Sequence, residues 1–302
     1  MQSERHGAVP QLLQVERLEL NVFRGNSADV GSHSVFGGQV LGQALMAAAH
    51  TVESGSLHSL HANFLRAGDI AHPILYMVER TRDGSSFTSR RVVAVQHGRP
   101  IFTAALSFHL REEGIEHQGV PMPDVPSPEE VLASGQTGDM VRRLPDGIRA
   151  WYERERPFDL LELPTSRRPE EGPRMHYMWL KPVVPFQGSA ALTQAMLAYI
   201  SDFNILHAAL WPHVLVYGLP HLMVASLDHA MWFHRDFTLD DWLLYATESP
   251  VAGGGRALCR GSFYTRDGKL VATVMQEGLV RQLNDNARAA PPASSSAASK
   301  RA

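Results

Sequence analysis

The chain repeats itself. Phe64-x-Arg66 returns as Phe233-x-Arg235, and Leu75-Tyr76-x-x-Glu79 returns as Leu244-Tyr245-x-x-Glu248, both at a shift of 169. One residue further out of step, Gly98-Arg99 returns as Gly268-Lys269, at the turn between two apolar runs. A single match arises easily by chance. Several at a nearly constant offset, all in corresponding strand-like segments, point to duplication of one unit, which restricts the chain to folds made of two like halves of ordinary domain size.

Each half opens with an Ala-rich helical stretch, Gln39 to His50 and Ala190 to Leu210, in which Gln43-Ala44-Leu45 is matched by Gln194-Ala195-Met196. Strand-length segments follow. In the first half they run His58 to Leu65, Ile74 to Arg80, Ser86 to Gln96 and Pro100 to Leu110; in the second, Met223 to Phe233, Trp242 to Ser249, Arg256 to Thr265 and Leu270 to Val280. The expected class is α+β, with an antiparallel sheet wrapped around a long helix in each half. Strand propensity alone does not separate this from other α+β arrangements.

Eleven of the nineteen prolines lie between Pro121 and Pro185, which reads as a connector of turns, short helices near Val141 and Trp151, and edge strands. The expected units are residues 10–115, a connector over 116–172, a second unit over 173–284 that carries the chemistry, and a disordered Ala/Pro/Ser tail over 285–302. A net charge of -3 with dispersed charges gives no footprint for nucleic acid or an anionic membrane. The single cysteine, Cys259, excludes an intramolecular disulfide framework and any multi-thiolate metal site. It reads as a small core residue. With no stretch near the roughly 20 apolar residues of a membrane span, a cytoplasmic enzyme without metal or cofactor is expected.

Longer motifs carry a resemblance. They are Val35-Phe36-Gly37-Gly38-Gln39-Val40-x-Gly42-Gln43-Ala44-Leu45, Phe64-Leu65-Arg66-x-Gly68-Asp69 and Arg82-Asp83-Gly84-x-Ser86-Phe87-x-x-Arg90-Arg91-Val92 in the first half. The second half has Ser201-Asp202-x-Asn204, Asp228-His229-x-Met231-Trp232-Phe233-His234-Arg235 and Gln276-Glu277-Gly278. In this order they resemble the type II acyl-CoA thioesterases, over nearly all of the chain up to the tail. The resemblance implies two fused hotdog domains, hydrolysis of medium- to long-chain acyl-CoA, and Asp202, Ser226 and Gln276 as the catalytic residues. Hotdog sheets pair edge to edge or back to back, so the resemblance also implies a homodimer or homotetramer.

The residue types suit that chemistry. On a continued helix Asp202 shares a face with Ala195, Ala198, Tyr199, Leu206 and Ala209, and desolvation on an apolar stripe favours proton uptake, as a general base requires. An Asp that merely ends the helix before Asn204 is the other reading. Gln276 shares a strand face with Ala272 and Val274, so its amide needs partners. The repeat places Leu57 opposite Ser226 and Leu106 opposite Gln276, so the second half has polar groups where the first has leucines. The expected reaction is attack of a water, held by Ser226 and Gln276 and deprotonated by Asp202, on the thioester carbonyl. Gly37 and Gly38 are candidate oxyanion donors, with a tight turn as the alternative. Arg90 and Arg91 are candidates for the coenzyme A phosphates, but adjacent strand residues face opposite ways, so one of the two at most is expected there.

Four rivals stand beside this reading. No Gly-x-Ser-x-Gly or His-Glu-x-x-His occurs, which argues against a nucleophile-elbow hydrolase and a zincin. The run Tyr199 to His207 looks like the Asp-x-Asn-Pro-x-His signature of hotdog enoyl-CoA hydratases, with Asp202 and His207 as the acting pair. Ile205 stands where that signature has Pro. A non-catalytic acyl-CoA sensor is the fourth.

Overall fold

The computed structural model describes residues 8–30, 33–135, 157–163, 175–184, 188–213, 215, 217–219 and 221–283. The helices expected near Val141 and Trp151 and the tail over 285–302 lie outside the described residues. The first half contains α1 (Ala8–Leu13), β1 (Glu16–Glu19), β2 (Val22–Gly25), α2 (Gly37–Ala49), β3 (Ser56–Phe64), β4 (Ile74–Asp83), β5 (Phe87–Gln96) and β6 (Arg99–His109). After α3 (Pro128–Ser134) come β7 (Phe158–Glu162), β8 (His176–Pro182), α4 (Ala190–Ser201), α5 (His207–Leu210), β9 (Leu222–Ser226), β10 (Asp228–Phe233), β11 (Leu243–Gly253), β12 (Arg256–Thr265) and β13 (Leu270–Gln282).

All these strands form one antiparallel sheet in the order β1-β2-β4-β5-β6-β3-β10-β13-β12-β11-β8-β7, with β9 also on β13. Read outward from the middle, the two halves have matching orders: β3-β6-β5-β4-β2 mirrors β10-β13-β12-β11-β8. They join where β3 pairs with β10, from Asp228 opposite Asn63 to Trp232 opposite Ser59. The sheet is therefore continuous, and no edge is left at the duplication boundary.

The two Ala-rich helices pack against each other inside this sheet. Residues 38 to 48 of α2 are all buried, as a helix surrounded by sheet and a second helix requires. Leu57, Leu60 and Leu106 on the inner face of β3 and β6 are buried too, each contributing about 1.5–3 kcal/mol by leaving water. A smaller apolar cluster of Val131, Leu161, Trp179, Trp242, Leu244 and Tyr264 lies on the outer side of the second half. There α3 is fixed by a Ser127/Glu130 capping box, and Trp179 Nε1 donates to Pro126 O at 2.9 Å.

Two strands, β1 and β2, go beyond those expected from the sequence, and two more, β7 and β8, are strands of the Pro-rich stretch where edge strands are expected without bounds. β1 and β2 are short, β8 follows a Pro-rich run, and β7 lies inside the expected connector, yet it pairs with β8 and extends the second half's sheet. The second helix is also shorter than expected. It stops at Ser201 because Asn204 adopts a left-handed backbone with φ 60, which breaks the stretch before the single turn of α5. The strand expected over Met223 to Phe233 is two strands, β9 and β10, either side of Leu227.

Gly38 permits the helix contact. A Cβ there would stand 2.1 Å from Tyr199 O, a backbone atom of α4. Gly38→Ala is expected to cost about 3 kcal/mol or more, since neither helix backbone yields cheaply. A urea unfolding curve checks this; a midpoint unchanged from wild type contradicts the close packing.

Candidate active site

Asp202 sits one residue beyond the helix it was expected to share. It is the C-cap of α4, half-buried, with φ -78 and ψ -14. The carboxylate therefore lies at the negative end of its own helix, where an anion is disfavoured by about 0.3–1 kcal/mol. A second helix supplies the compensation. A Cβ built on Gly37, the first residue of α2, would lie 2.6 Å from Asp202 Oδ2, so the positive start of α2 abuts the carboxylate. The N-cap of α2 is Phe36, whose side chain makes no capping bond. The chain thus joins the negative end of one helix to the positive end of another, with a single acid between them.

Two strands complete the group. Ser226, the last residue of β9, donates from Oγ to Asp202 Oδ1 at 3.3 Å. Gln276, on β13, donates from Nε2 to Ser226 Oγ at 2.8 Å and is 1% exposed. All three residues expected to act together are one hydrogen-bonded series, although 24 and 50 residues separate the partners. Leu206 lies close to Gly278, the cross-strand neighbour of Ser226, and Phe64 lies close to Gly37. Leu206 and Phe64 thus put apolar surface beside the polar series.

The series runs deeper than the sequence indicates. Gln276 Oε1 is bonded by His229 Nδ1, and His229 Nε2 lies 2.9 Å from Ser201 Oγ. His229 is wholly buried, and burial lowers its pKa, so the ring is neutral. Tyr245 donates its hydroxyl to Ser201 O at 2.8 Å and holds the last turn of α4 in front of Asp202. Cys259 is the cross-strand neighbour of Gln276, but burial pushes its thiol up to about 11, so it is not a thiolate nucleophile.

The two arginines part ways. Arg90 does not face solvent: its guanidinium is 2% exposed and donates to Thr51 Oγ1 at 2.8 Å, Thr51 O at 3.0 Å, Ser89 O at 2.9 Å, Arg82 O at 3.1 Å and the Asp83 carboxylate. With its donors committed inside the protein, it has none for a phosphate, and its expected role is replaced by tying β4 and β5 to the end of α2. Arg91 is exposed and faces Glu79 at 3.6 Å. Gly38 is buried against α4, while Gly37 borders the acid.

His207 does not join Asp202. Its ring is buried, its titratable neighbours are His176 and Glu162, and neither ring nitrogen has a hydrogen-bond partner among the described residues. Asp69, His72 and His97 form an exposed group in which the carboxylate, held down to about 2 by Ala71 N and both imidazoles, fixes the loop after β3. Those bonds account for its geometry.

A family model described as acyl-CoA thioesterase matches residues 153–279, and one described as acyl-CoA thioesterase N-terminal domain matches residues 25–109. The chain is 40% identical over 275 residues to "Acyl-CoA thioesterase 2" of Haemophilus influenzae, covering 89% of this chain and 96% of that one. The chain belongs to the acyl-CoA thioesterase family. Among its relatives this thioesterase is also 40% identical over 284 residues to human "Acyl-coenzyme A thioesterase 8", covering 90% and 88% of the two chains. The crystal structure of an acyl-CoA thioesterase II from Mycobacterium marinum matches it with a TM-score of 0.76 and 41% identity, over 92% of this chain and 98% of that one. A conserved protein with a hot dog fold from Alicyclobacillus acidocaldarius, 21% identical with a TM-score of 0.70, shares the fold of this thioesterase.

Proposed function

We propose that the protein hydrolyses medium- to long-chain fatty acyl-CoA to the free fatty acid and coenzyme A, using a water activated by Asp202, Ser226 and Gln276. The observation that carries this is the unbroken bonding from the Asp202 carboxylate through Ser226 to the Gln276 amide, beside the start of α2. The amide of Gln276 has a second N–H with which to hold a water. Asp202 takes the water's proton, the remaining hydroxide adds to the thioester carbonyl carbon, and the first N–H groups of α2, at Gly37, stabilise the oxyanion. Collapse of that intermediate breaks the C–S bond, and coenzyme A leaves with the proton that Asp202 accepted. No side chain becomes acylated.

The expectation of medium to long acyl chains is supported by Phe64 and Leu206 beside the polar series. Arg91, on the exposed face of β5, is the arginine still placed to meet a phosphate of coenzyme A. The same reading places the enzyme in the cytoplasm, in fatty-acid metabolism. Among the described residues its sheet ends on β1 and β7, and edge strands of this kind suit assembly into a homodimer or homotetramer. Among the described residues no helix is long and apolar enough to cross a membrane.

Release of coenzyme A, followed with a thiol reagent over acyl chains of increasing length, tests the reading. Steady turnover that falls by roughly 10²–10³-fold in Gln276→Ala is expected, the loss typical of one preorganised donor. Absence of release across all chain lengths would favour a sensor and sink the hydrolytic reading.

A further inference from the structure

We propose that His229 is a positioning residue of this hydrolase, whose Nδ1–H holds the Gln276 carbonyl so that the Gln276 amide NH2 faces Ser226 and the attacking water. The inference rests on the hydrolytic reading above, and it identifies what makes the glutamine useful. A glutamine amide presents either a carbonyl or an NH2 to a given neighbour with almost the same shape. Only one of those orientations donates to the water.

The direction of the whole series follows from its acidic end. An ionised Asp202 carries no proton, so Ser226 Oγ must donate to Asp202 Oδ1, at 3.3 Å. Having spent its one proton, Ser226 Oγ must accept from Gln276, whose Nε2 is 2.8 Å away. The carbonyl of Gln276 then faces His229 Nδ1, and two acceptors cannot bond there unless Nδ1 carries the imidazole proton. His229 Nε2 is left as an acceptor for the Ser201 hydroxyl, 2.9 Å away. Ser201 Oγ also lies 2.8 Å from Ala198 O, the partner its proton serves if the order is reversed. His229 therefore decides between two orders, and with Nδ1 protonated every donor points toward Asp202, an arrangement in which successive bonds polarise one another.

The duplication supplies an independent argument. In the first half, Leu60 and Leu106 are cross-strand neighbours on β3 and β6. The shifts of 169 and 170 carry them to His229 and Gln276, which bond to each other across β10 and β13. Leu57 and its neighbour Phe108 correspond likewise to Ser226 and Gly278, also cross-strand neighbours. The inner face that is apolar in one half carries three polar side chains bonded in series in the other. His229 replaces a leucine that the same sheet position tolerates, so its polarity is not demanded by the fold.

Three substitutions and one spectrum test this. His229→Leu installs the residue of the matching position, His229→Asn retains an N–H near the place of Nδ1, and His229→Gln puts its amide near the place of Nε2. His229→Leu and His229→Gln are expected to lower kcat roughly 10- to 100-fold, the scale of a misplaced catalytic group, with His229→Asn recovering most of the loss. In a Gln276→Ala background, His229→Leu is expected to change kcat no further, because its whole effect passes through the amide. Unchanged kcat in His229→Leu, or an equal loss in both backgrounds, overturns the proposal. Nitrogen-15 spectra of the histidine-labelled wild-type protein, with His229 assigned by its absence in His229→Asn, read the proton directly. A protonated Nδ1 supports the proposal and a bare Nδ1 overturns it, whether or not acyl-CoA is turned over. Wild-type protein that releases no coenzyme A contradicts the hydrolytic reading instead.

Discussion

Asp202→Asn lowers kcat by roughly 10²–10⁴-fold, the contribution of a general base, without lowering the melting temperature. The two halves of this expectation have one cause. The carboxylate caps the C-terminal end of α4, where the helix dipole opposes an anion, and it is half-buried. The neutral isostere keeps a hydrogen-bonding oxygen for Ser226 and relieves the unfavourable end of α4, while losing the favourable start of α2. A group whose charge does little for the fold but stands where a water can be deprotonated is what a site optimised for reaction looks like. Steady-state kinetics and a thermal melt of the same preparation check both parts. A fall in melting temperature that accounts for the lost activity sinks the assignment of Asp202 as base.

Acidification is expected to destabilise the protein between pH 6.5 and about 4. Burial lowers His176 from 6.5 to about 4, and burial followed by the neighbouring His176 lowers His207 from 6.5 to about 4, with Glu162 acting the other way. In the folded protein both rings stay neutral over that window, whereas in the unfolded chain both take up protons below 6.5. The unfolded state thus binds more protons, stability is fully present above 6.5, and it declines as pH falls toward 4. Each tenfold difference in proton affinity between the two states is worth about 1.4 kcal/mol, so over the two pH units down to 4.5 the two rings together lose roughly 5 kcal/mol, a large share of an ordinary folding free energy. Their contact, with ring centroids 5.6 Å apart, means that the second proton is resisted more than the first. Urea unfolding at pH 7.5 and pH 4.5 measures the difference. His207→Leu is expected to flatten it and to leave thioester hydrolysis intact, since neither nitrogen of that ring has a partner to lose. A variant with the wild-type pH profile contradicts the account, and one that abolishes turnover points back to hydratase-like use of His207.

The duplicated units are legible in the sequence because repetition and alternating apolar residues are local signals. The strand Arg256 to Thr265 has the bounds its sequence implies, and Ile74 and Leu270 begin strands as expected. The helix end before Asn204 is one of two readings that the sequence leaves open, because Ala-rich propensity continues through it and the positive φ of one Asn decides between them. β7 is an edge strand of the Pro-rich stretch, as its composition implies, but its bounds and its pairing with β8 are not legible there. Of the candidate site, residue types alone indicate only that Asp202 and Gln276 need partners, and the family motifs pick out the set. What bonds to what depends on contacts spanning 24 to 50 residues, such as Ser226 to Asp202 and Gln276 to Ser226. Arg90 shows the limit most plainly. Its strand position is compatible with either face, and the irregular pairing between Arg80 and Arg82, which turns Asp83 toward it, leaves no trace in composition.

The most direct test of water activation by one bonded unit is kcat for Asp202→Asn, Ser226→Ala and Gln276→Ala singly and combined. If the three act as a unit, the triple variant turns over acyl-CoA within about threefold of the slowest single variant, as residues serving one step do. Losses that multiply across the three substitutions would show separate contributions, and the account of one shared water would then be wrong.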